Sequence, residues 1–521
     1  MPWLKSHSHW LLIVVGTLIW SLTMVKSGLV YDYGMGFWGP NGHDGIWHLA
    51  LINSLSRGSL EMPIFAGENI KNYHLGFDLA LAALHRATGI PVLNLYFQIT
   101  PPILAFLIGL LVYKLTSNVW SVFFVYFGGS LSWLLSKGES AFWAQQAIST
   151  LVNPPFSLSL VLLLLLLLLL QKERYILAAL VAALLPHVKI YAGLLAFLGL
   201  FIAGFKNKKL FLTLAIGLLI YSLSNYQLIA NSSQLMTWSP GWFLQTLFAP
   251  DHLNWPRLYS ALTTYSQVPL SLKSLLAYLF ALVIFLVGNL GTRIFIVRRI
   301  ELNYENLFYL SIILAGVAVP MLFLQTGTAW NTIQFFYYSL FFSSLLAGQA
   351  VADILKIKKL KNYLKIGIWS LVIILTLPTT WGTLTTVYLP SRPPAKISYE
   401  ELVALKFLSQ QPLGVVLTYP ATIDPYAPPP RPLYLYESTA YVSALSNQPT
   451  FLEDEVNLNI TGYDWQTRRQ AVSDYFLSPT PDFLTQNRIS YVYLPQTPNI
   501  QLPGLVKIFA NSQSTVWHLE K

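Results

Sequence analysis

Long apolar runs constrain the fold of this chain more than any other feature. Eleven of them are candidate spans, and all but the short run at 174–186 are close to the roughly 20-residue length at which a helix crosses about 30 Å of hydrocarbon. Of the 521 residues, 54% are hydrophobic and 10% are charged, whereas soluble domains carry about 25% charged residues. We therefore predict a mainly α-helical, polytopic membrane protein with about 11 transmembrane helices. The runs lie near 10–30, 92–114, 119–136, 154–171, 174–186, 188–205, 209–229, 273–297, 305–324, 332–355 and 364–386.

The net charge of +10 is concentrated in the apolar part of the chain. Residues 1–386 hold 23 Lys and Arg against 11 Asp and Glu, while the tail holds 9 against 11. With the N-terminus in the cytoplasm, the basic loops "QKER", "FKNKK", "VRR" and "KIKKLKNYLK" all face the inside, as the positive-inside rule requires. We therefore expect a plasma or inner membrane protein with an extracytoplasmic C-terminus and no nucleic-acid partner.

The segment 72–91 has an apolar stretch that Asp78, His85 and Arg86 interrupt. A carboxylate in mid-bilayer costs about 3 kcal/mol, so we predict an interfacial helix on the outer surface. This gives a membrane domain over 1–386, whose outer loop 31–91 carries interfacial helices, and an extracytoplasmic domain over 387–521.

The tail has the pattern of a small α/β domain. The segments "SYEELVALKFLSQQP" and "YDWQTRRQAVSDYFL" have helical spacing, and "GVVLTYP", "ISYVYLP", "LVKIFAN" and "STVWHLE" alternate as strands do. Arg468 and Arg469 are expected to form surface ion pairs with the acidic "LEDEV" stretch just upstream. The chain has no cysteine, which excludes disulfides and thiolate catalysis.

Asp44 is the first candidate for a functional carboxylate. It stands in "GHDGIWHLALINSL" with His43 before it, and "IWHLALINSL" has the amphipathicity of a helix. Asp is a favoured helix N-cap, and His48 is placed to share a helix face with it. Two interpretations stay open: a structural cap, or a carboxylate that binds or deprotonates an incoming nucleophile near the lipid headgroups.

His74 and Asp78 form a second i, i+4 pair in the same loop. Two His/Asp pairs in one loop could bind a divalent cation. They could equally be interfacial groups that hydrogen-bond to each other. No cofactor is otherwise implied.

Four further residues lie on the predicted outer side. Glu139 is the only acid of the second outer loop, where either chance or function could have placed it. His187 and Lys189, in "LPHVKIY", lie at the outer mouth of two spans. For Lys189, and for Arg257 in the Trp-rich loop, snorkelling and binding of a lipid phosphate are both open.

Taken together, this arrangement resembles the GT-C superfamily of membrane glycosyltransferases, which includes protein mannosyltransferases, lipid A aminoarabinose transferases and oligosaccharyltransferases. The likeness rests on the early acid in "GHDGIWHLALINSL", on "NYHLGFDLALAALHRATGI" and on the span that follows in "LNLYFQITPPILAFLIGLLVYKL". Many short-looped spans and an outer C-terminal domain complete it.

The resemblance implies an inverting transferase that uses a polyprenyl-phosphate-linked sugar and acts on an acceptor at the outer face of the bilayer. It gives Asp44 the role of a base or of a group that activates the acceptor, and it makes Glu139 the candidate second acid. It implies substrate or phosphate binding by basic and polar groups at the outer face, for which the candidates are His43, His48, His74, Asp78, His187, Lys189 and Arg257.

Two alternatives stay open from the residues alone. One is a non-catalytic GT-C-like protein of envelope glycan assembly. The other is a transporter of a lipid-linked substrate, which would need ionisable residues or broken helices near mid-membrane.

Overall fold

The computed structural model describes residues 2–224, 236–266, 271–297, 301–326, 328–419, 424, 426–495 and 503–520. Arg298 and Arg299 of the basic "VRR" loop lie outside these ranges. The α-helices are Pro2–Ser21 (α1), Asp44–Ser56 (α2), Gly76–Thr88 (α3), Val92–Asn94 (α4), Thr100–Thr116 (α5), Val119–Phe127 (α6), Pro154–Gln171 (α7), Tyr175–Val188 (α8), Ile190–Gly204 (α9), Lys209–Ser224 (α10), Trp242–Leu247 (α11), Pro256–Tyr265 (α12), Leu272–Leu290 (α13), Tyr304–Leu322 (α14), Ile333–Lys356 (α15), Asn362–Thr383 (α16), Tyr399–Ser409 (α17), Leu433–Tyr436 (α18), Tyr441–Ser446 (α19), Glu455–Thr461 (α20), Trp465–Leu477 (α21) and Pro481–Gln486 (α22).

Six helical segments of the described chain are long and apolar enough to cross a membrane, and they indicate an integral membrane protein. They are Val92–Thr116, Pro154–Gln171, Leu272–Phe295, Tyr304–Leu322, Ala329–Lys356 and Asn362–Tyr388. Five shorter apolar helices are Ser8–Ser21, Val119–Leu135, Tyr175–Val188, Ile190–Gly204 and Lys209–Ser224. Each of the eleven predicted runs overlaps one of these segments. The run 10–30 does so only as far as Ser21, where α1 ends, and residues 225–229 of the run 209–229 lie outside the described residues.

The six long segments and the five shorter helices differ in length. At 1.5 Å per residue, the 14 residues of α8 extend about 21 Å, which is short of about 30 Å of hydrocarbon. This helix packs against α7, α9 and α10. Crossing of the bilayer by the five shorter helices therefore stays a prediction.

By their internal contacts, the residues form two compact units. The first contains Met1–Leu22 and Pro102–Leu389, and the second contains Thr23–Pro101 and Pro390–Lys521. The loop that follows the first apolar helix thus shares a unit with the tail.

In the first unit, close helix packing depends on small residues. The helices α14 and α15 pack together, and α15 also packs on α6. Ser121 Oγ in α6 donates a hydrogen bond of 2.9 Å to the carbonyl of Leu345 in α15. A Cβ atom at Gly348 would overlap the backbone of Ser121, so only glycine permits this approach, as at many transmembrane helix crossings.

The second unit contains two four-stranded sheets. In the first sheet the order is Val30–Tyr31 (β1), Gly34–Phe37 (β2), Ala395–Ile397 (β5) and Arg431–Pro432 (β7). The order in the second is Val415–Thr418 (β6), Ile489–Leu494 (β8), Thr515–Leu519 (β10) and Leu505–Ala510 (β9). A two-stranded pair in the first unit joins Met236–Trp238 (β3) to Phe323–Gln325 (β4).

The first sheet joins the early loop to the tail. Its β1 and β2 form a hairpin, and β2 pairs antiparallel with β5, so that Met35 lies opposite Ile397 and Phe37 opposite Ala395. In the second sheet β6 and β8 are parallel, and the other pairs are antiparallel. All four of its strands are segments for which alternation predicted strands.

The helix α2 is buried along most of its length, although its sequence predicted an amphipathic helix. It packs against α3 on one side and against α19 of the tail on another, so its polar positions also meet protein. By contrast α3 is amphipathic, with Phe77, Leu81 and Ala82 buried.

The two arginines of α21 have different partners. Arg469 forms an ion pair with Glu455, as predicted. Arg468 instead places its guanidinium 3.4 Å from the centre of the Phe65 ring and donates hydrogen bonds to the carbonyls of Ala66 and Phe451. The predicted ion pairing of Arg468 is therefore wrong, because its charge is used for cation–π and backbone contacts.

Gly348→Ala should destabilise the first unit by about 1–3 kcal/mol, the usual cost of overpacking a tight contact. The measurement is thermal unfolding in detergent. Gly367→Ala is the matched control, because a Cβ at Gly367, which is also in a helix, meets nothing within 4 Å. Equal unfolding temperatures for the two variants would contradict this packing.

Candidate active site

Asp44 lies in the first turn of α2, and His43 occupies the cap position. The N-cap interpretation of Asp44 is therefore wrong: the helix starts one residue early, and its cap makes no side-chain hydrogen bond. Instead, the carboxylate pairs with its neighbour, since His43 Nδ1 lies 2.8 Å from Asp44 Oδ1. The side chain of His43 is 9% exposed and that of Asp44 is 48% exposed, so the carboxylate is accessible and the imidazole is enclosed.

Steric packing explains why a glycine follows Asp44. A Cβ at Gly45 would lie 2.6 Å from the ring of Phe97, which is closer than van der Waals contact allows. The start of α2 thus packs directly on an aromatic side chain, and a residue larger than glycine at position 45 would require Phe97 to move.

Asp454 is a site residue that the sequence analysis missed. Its Oδ1 lies 3.3 Å from His43 Nε2, and the residue is 1% exposed. Asp454 caps α20 by accepting a hydrogen bond from the backbone of Asn457. The only signal in the sequence was the acidic "LEDEV" stretch, in which no spacing distinguishes the acid that turns inward.

A carboxylate therefore faces each ring nitrogen of His43. Neutral imidazole carries one N–H, whereas imidazolium carries two, so this geometry favours the protonated ring. Burial alone would lower the pKa of His43, but attraction to Asp454 and hydrogen bonds to Asp44 and Asp454 outweigh it and hold the pKa well above its usual value.

Glu437 is the third acid near this imidazole. Burial raises the pKa of Glu437, the charge of His43 lowers it, and the charges of Asp44 and Asp454 raise it further. Three acidic groups thus interact electrostatically with one histidine, His43.

His48 and Asp78 form a separate, buried pair. His48 Nδ1 lies 2.7 Å from Asp78 Oδ1, and their side chains are 6% and 0% exposed. Asp44 and His48 lie four residues apart in α2, as predicted, but the polar partner of His48 is Asp78, and His74 does not lie on the helix that carries Asp78. The i, i+4 rule holds within one helix, whereas His48 faces the neighbouring helix α3 and His74 precedes the start of α3 at Gly76.

Aromatic rings surround His48. Tyr96 stacks on its imidazole with the ring centres 5.6 Å apart, and Phe77 meets it edge-on at 5.9 Å. His74 stacks on Tyr73 at 4.7 Å. The His48–Asp78 pair thus joins α2 to α3 and is surrounded by aromatic rings.

The described residues of this loop do not form a ligand set for the divalent cation considered above. Among the described residues, no three His, Cys, Asp or Glu side chains are placed to hold a metal ion.

Glu139 lies in the first unit, in the loop before α7. Its carboxylate accepts hydrogen bonds from the hydroxyl of Ser149 and, at 3.3 Å, from the backbone of Gln146. Burial raises the pKa of Glu139 to about 7, although both hydrogen bonds lower it.

The three basic candidates have different surroundings, all within the first unit. Lys189 is 5% exposed, and its ammonium lies 5.6 Å from the centre of the Tyr191 ring. His187 Nε2 lies 3.0 Å from the hydroxyl of Ser224. Arg257 is exposed in the first turn of α12. Of these three, only Lys189 is buried.

A second buried cation was missed by the sequence analysis. Arg293 lies inside the Leu272–Phe295 segment and is 1% exposed. It donates hydrogen bonds to the side chain of Gln146 and to the backbone carbonyls of Asn289 and Leu290.

Solved structures of two membrane glycosyltransferases share this fold. An oligosaccharyltransferase from Archaeoglobus fulgidus, tethered to an acceptor peptide with the NVT sequon, aligns with 95% of this chain and 70% of its own, at 12% identity and a TM-score of 0.50. The arabinofuranosyltransferase AftD from Mycobacteria aligns with 99% of this chain and 40% of its own, at 13% identity and a TM-score of 0.52.

No family model and no curated protein matches the sequence. At identities this low, the likeness to the two solved structures concerns the fold. In its fold, the chain resembles these two glycosyltransferases, in agreement with the resemblance indicated by its loops and spans.

Proposed function

We propose that this chain is an inverting GT-C glycosyltransferase that transfers a sugar from a polyprenyl-phosphate donor to an acceptor on the extracytoplasmic face. The observation that carries the proposal is the carboxylate of Asp44. It is half-exposed at the start of a buried helix, and His43 holds one of its oxygens. It occurs in a fold shared with an oligosaccharyltransferase and an arabinofuranosyltransferase.

Transfer of a sugar from a polyprenyl phosphate requires mainly a base for the acceptor and cations for the departing phosphate. The acceptor attacks the anomeric carbon as the bond from that carbon to the phosphate oxygen breaks, and the polyprenyl phosphate leaves with the electron pair. Asp44 takes the proton of the acceptor. Cations near the phosphate stabilise the charge that develops on it, a role proposed for Lys189, His187 and Arg257.

The proposed topology has eleven crossings, a cytoplasmic N-terminus and an extracytoplasmic tail. The excess of Lys and Arg in alternate loops supports it. The early loop 31–91 and the tail 387–521 would then lie on the same side of the bilayer, which agrees with their membership of one compact unit.

One observation supports an alternative function, that of a transporter. Arg293 is a buried charge inside an apolar segment, and such residues often mark transport pathways. Its hydrogen bonds to Gln146 and to backbone carbonyls are equally expected of a structural residue that holds neighbouring segments together. Transfer by the purified protein from a polyprenyl-phosphate sugar would favour the enzyme; movement of that lipid across vesicles without transfer would favour the transporter.

Asp44→Asn should reduce transfer by about 100-fold or more, because loss of a general base costs about 10²–10⁴-fold in rate. Folding should be unchanged, since asparagine keeps the shape of the side chain. The measurement is single-turnover transfer in detergent. Asp32→Asn, an exposed acid of the same loop, is the matched control. Full activity of Asp44→Asn would contradict the assignment.

The raised pKa of Glu139, about 7, predicts a pH dependence if its carboxylate acts in the reaction. The ionised form dominates above that pKa, so kcat/KM should rise with pH and level off above about pH 7. Glu139→Gln should remove this rise, whereas Glu173→Gln, an exposed acid, should keep it. A rise that persists unchanged in Glu139→Gln would show that another group titrates.

A further inference from the structure

We propose that Asp454 is a positioning residue for Asp44, acting through His43, which it holds as an imidazolium between two carboxylates. The inference rests on the proposed function of Asp44 and adds a residue of the tail to that site. The central observation is that His43 contacts Asp44 through Nδ1 at 2.8 Å and Asp454 through Nε2 at 3.3 Å.

Asp454 is suited to be the fixed end of this chain of contacts. It is buried, and Asn457 donates to it twice, from the backbone at 3.2 Å and from the side-chain amide at 2.8 Å. Its φ of +49° is a left-handed conformation that few residues other than glycine adopt. A carboxylate held in this way cannot follow the movements of an exposed side chain.

Asp44 is at the solvent-exposed end. Its side chain is half-exposed, and an exposed carboxylate normally changes rotamer freely. The bond from the enclosed His43 ring fixes one oxygen and therefore the plane of the carboxylate. A base that must meet an acceptor proton within hydrogen-bond distance gains from this restriction, since a misplacement of 1 Å can cost about 100-fold in rate.

The charges support the same arrangement. Among the described residues, the titratable groups that interact with His43 are Asp44 and Asp454, which contact it, and Glu437, which acts on it through its charge; all three are acids. The imidazolium offsets their mutual repulsion. As the pH rises through the raised pKa of His43, this positive charge is lost, and the support of Asp44 is lost with it.

The alternative is that Asp454 only caps α20. A cap contributes about 1 kcal/mol of stability, but it has no influence on the titration of His43. Asparagine is as good a cap as aspartate, so Asp454→Asn preserves the cap and removes the charge. Asp464→Asn is the matched control, because Asp464 caps the next helix, α21, through the backbone of Thr467 and is exposed.

The first test is the titration of His43 by ¹⁵N NMR in detergent, with its signal identified by its loss in His43→Gln. Asp454→Asn should lower the pKa of His43 by about 1 unit or more, and Asp464→Asn should leave it unchanged. This measurement needs no activity, so it stands even if the wild-type protein transfers no sugar. An unchanged titration in Asp454→Asn would overturn the inference.

The second test is the pH profile of transfer. Asp454→Asn should lower kcat about 10-fold or more at neutral pH without raising KM, and should move the alkaline fall in activity to lower pH. A wild-type profile in Asp454→Asn would overturn the positioning role. Absence of transfer by the wild-type protein from every polyprenyl-phosphate sugar tried would instead contradict the proposed function.

Discussion

The antiparallel pairing of β2 with β5 is the contact on which the candidate site depends. It joins a strand of the early loop to a strand that lies just after the last apolar helix. Because of this pairing, the loop and the tail form one compact unit. His43 then meets Asp454, a residue 411 positions away in the chain.

The compensation of buried charge explains the contacts of two buried aspartates in this unit. An isolated buried ion costs several kcal/mol, and each of these two acids has a donor next to it. Asp78 has His48, and Asp454 has His43 and Asn457. Asp44 differs from both, because it combines a fixed histidine partner with a side chain that is half-exposed. This combination is what makes it the candidate base.

Much of the helical and strand structure could be predicted from the sequence. The apolar runs were sufficient to locate eleven helical segments, and alternation located the strands of the second sheet. Asp44 was singled out by its place at a helix start after the first span. These features depend on local composition and on short periods, which a single sequence contains.

The pairings of the site could not be predicted in the same way. Spacing within one helix suggested Asp44 with His48, but His48 turned out to face Asp78 on another helix. The inward turn of Asp454 depends on a left-handed residue and on the docking of the tail, neither of which has a sequence period. For the same reason α2 was predicted to be amphipathic and is buried: its polar residues meet protein, since Asn53 donates a hydrogen bond to the carbonyl of Ala444 in α19 and His48 contacts Asp78 in α3.

The most direct test of the central claim is a cryo-EM structure of the protein in a lipid nanodisc with a non-transferable phosphonate analogue of a polyprenyl-phosphate sugar. The account predicts that the sugar lies beside Asp44, with the anomeric carbon close enough for an acceptor to be held between it and the carboxylate. Binding of the analogue at another place, with Asp44 remote from the sugar, would contradict it.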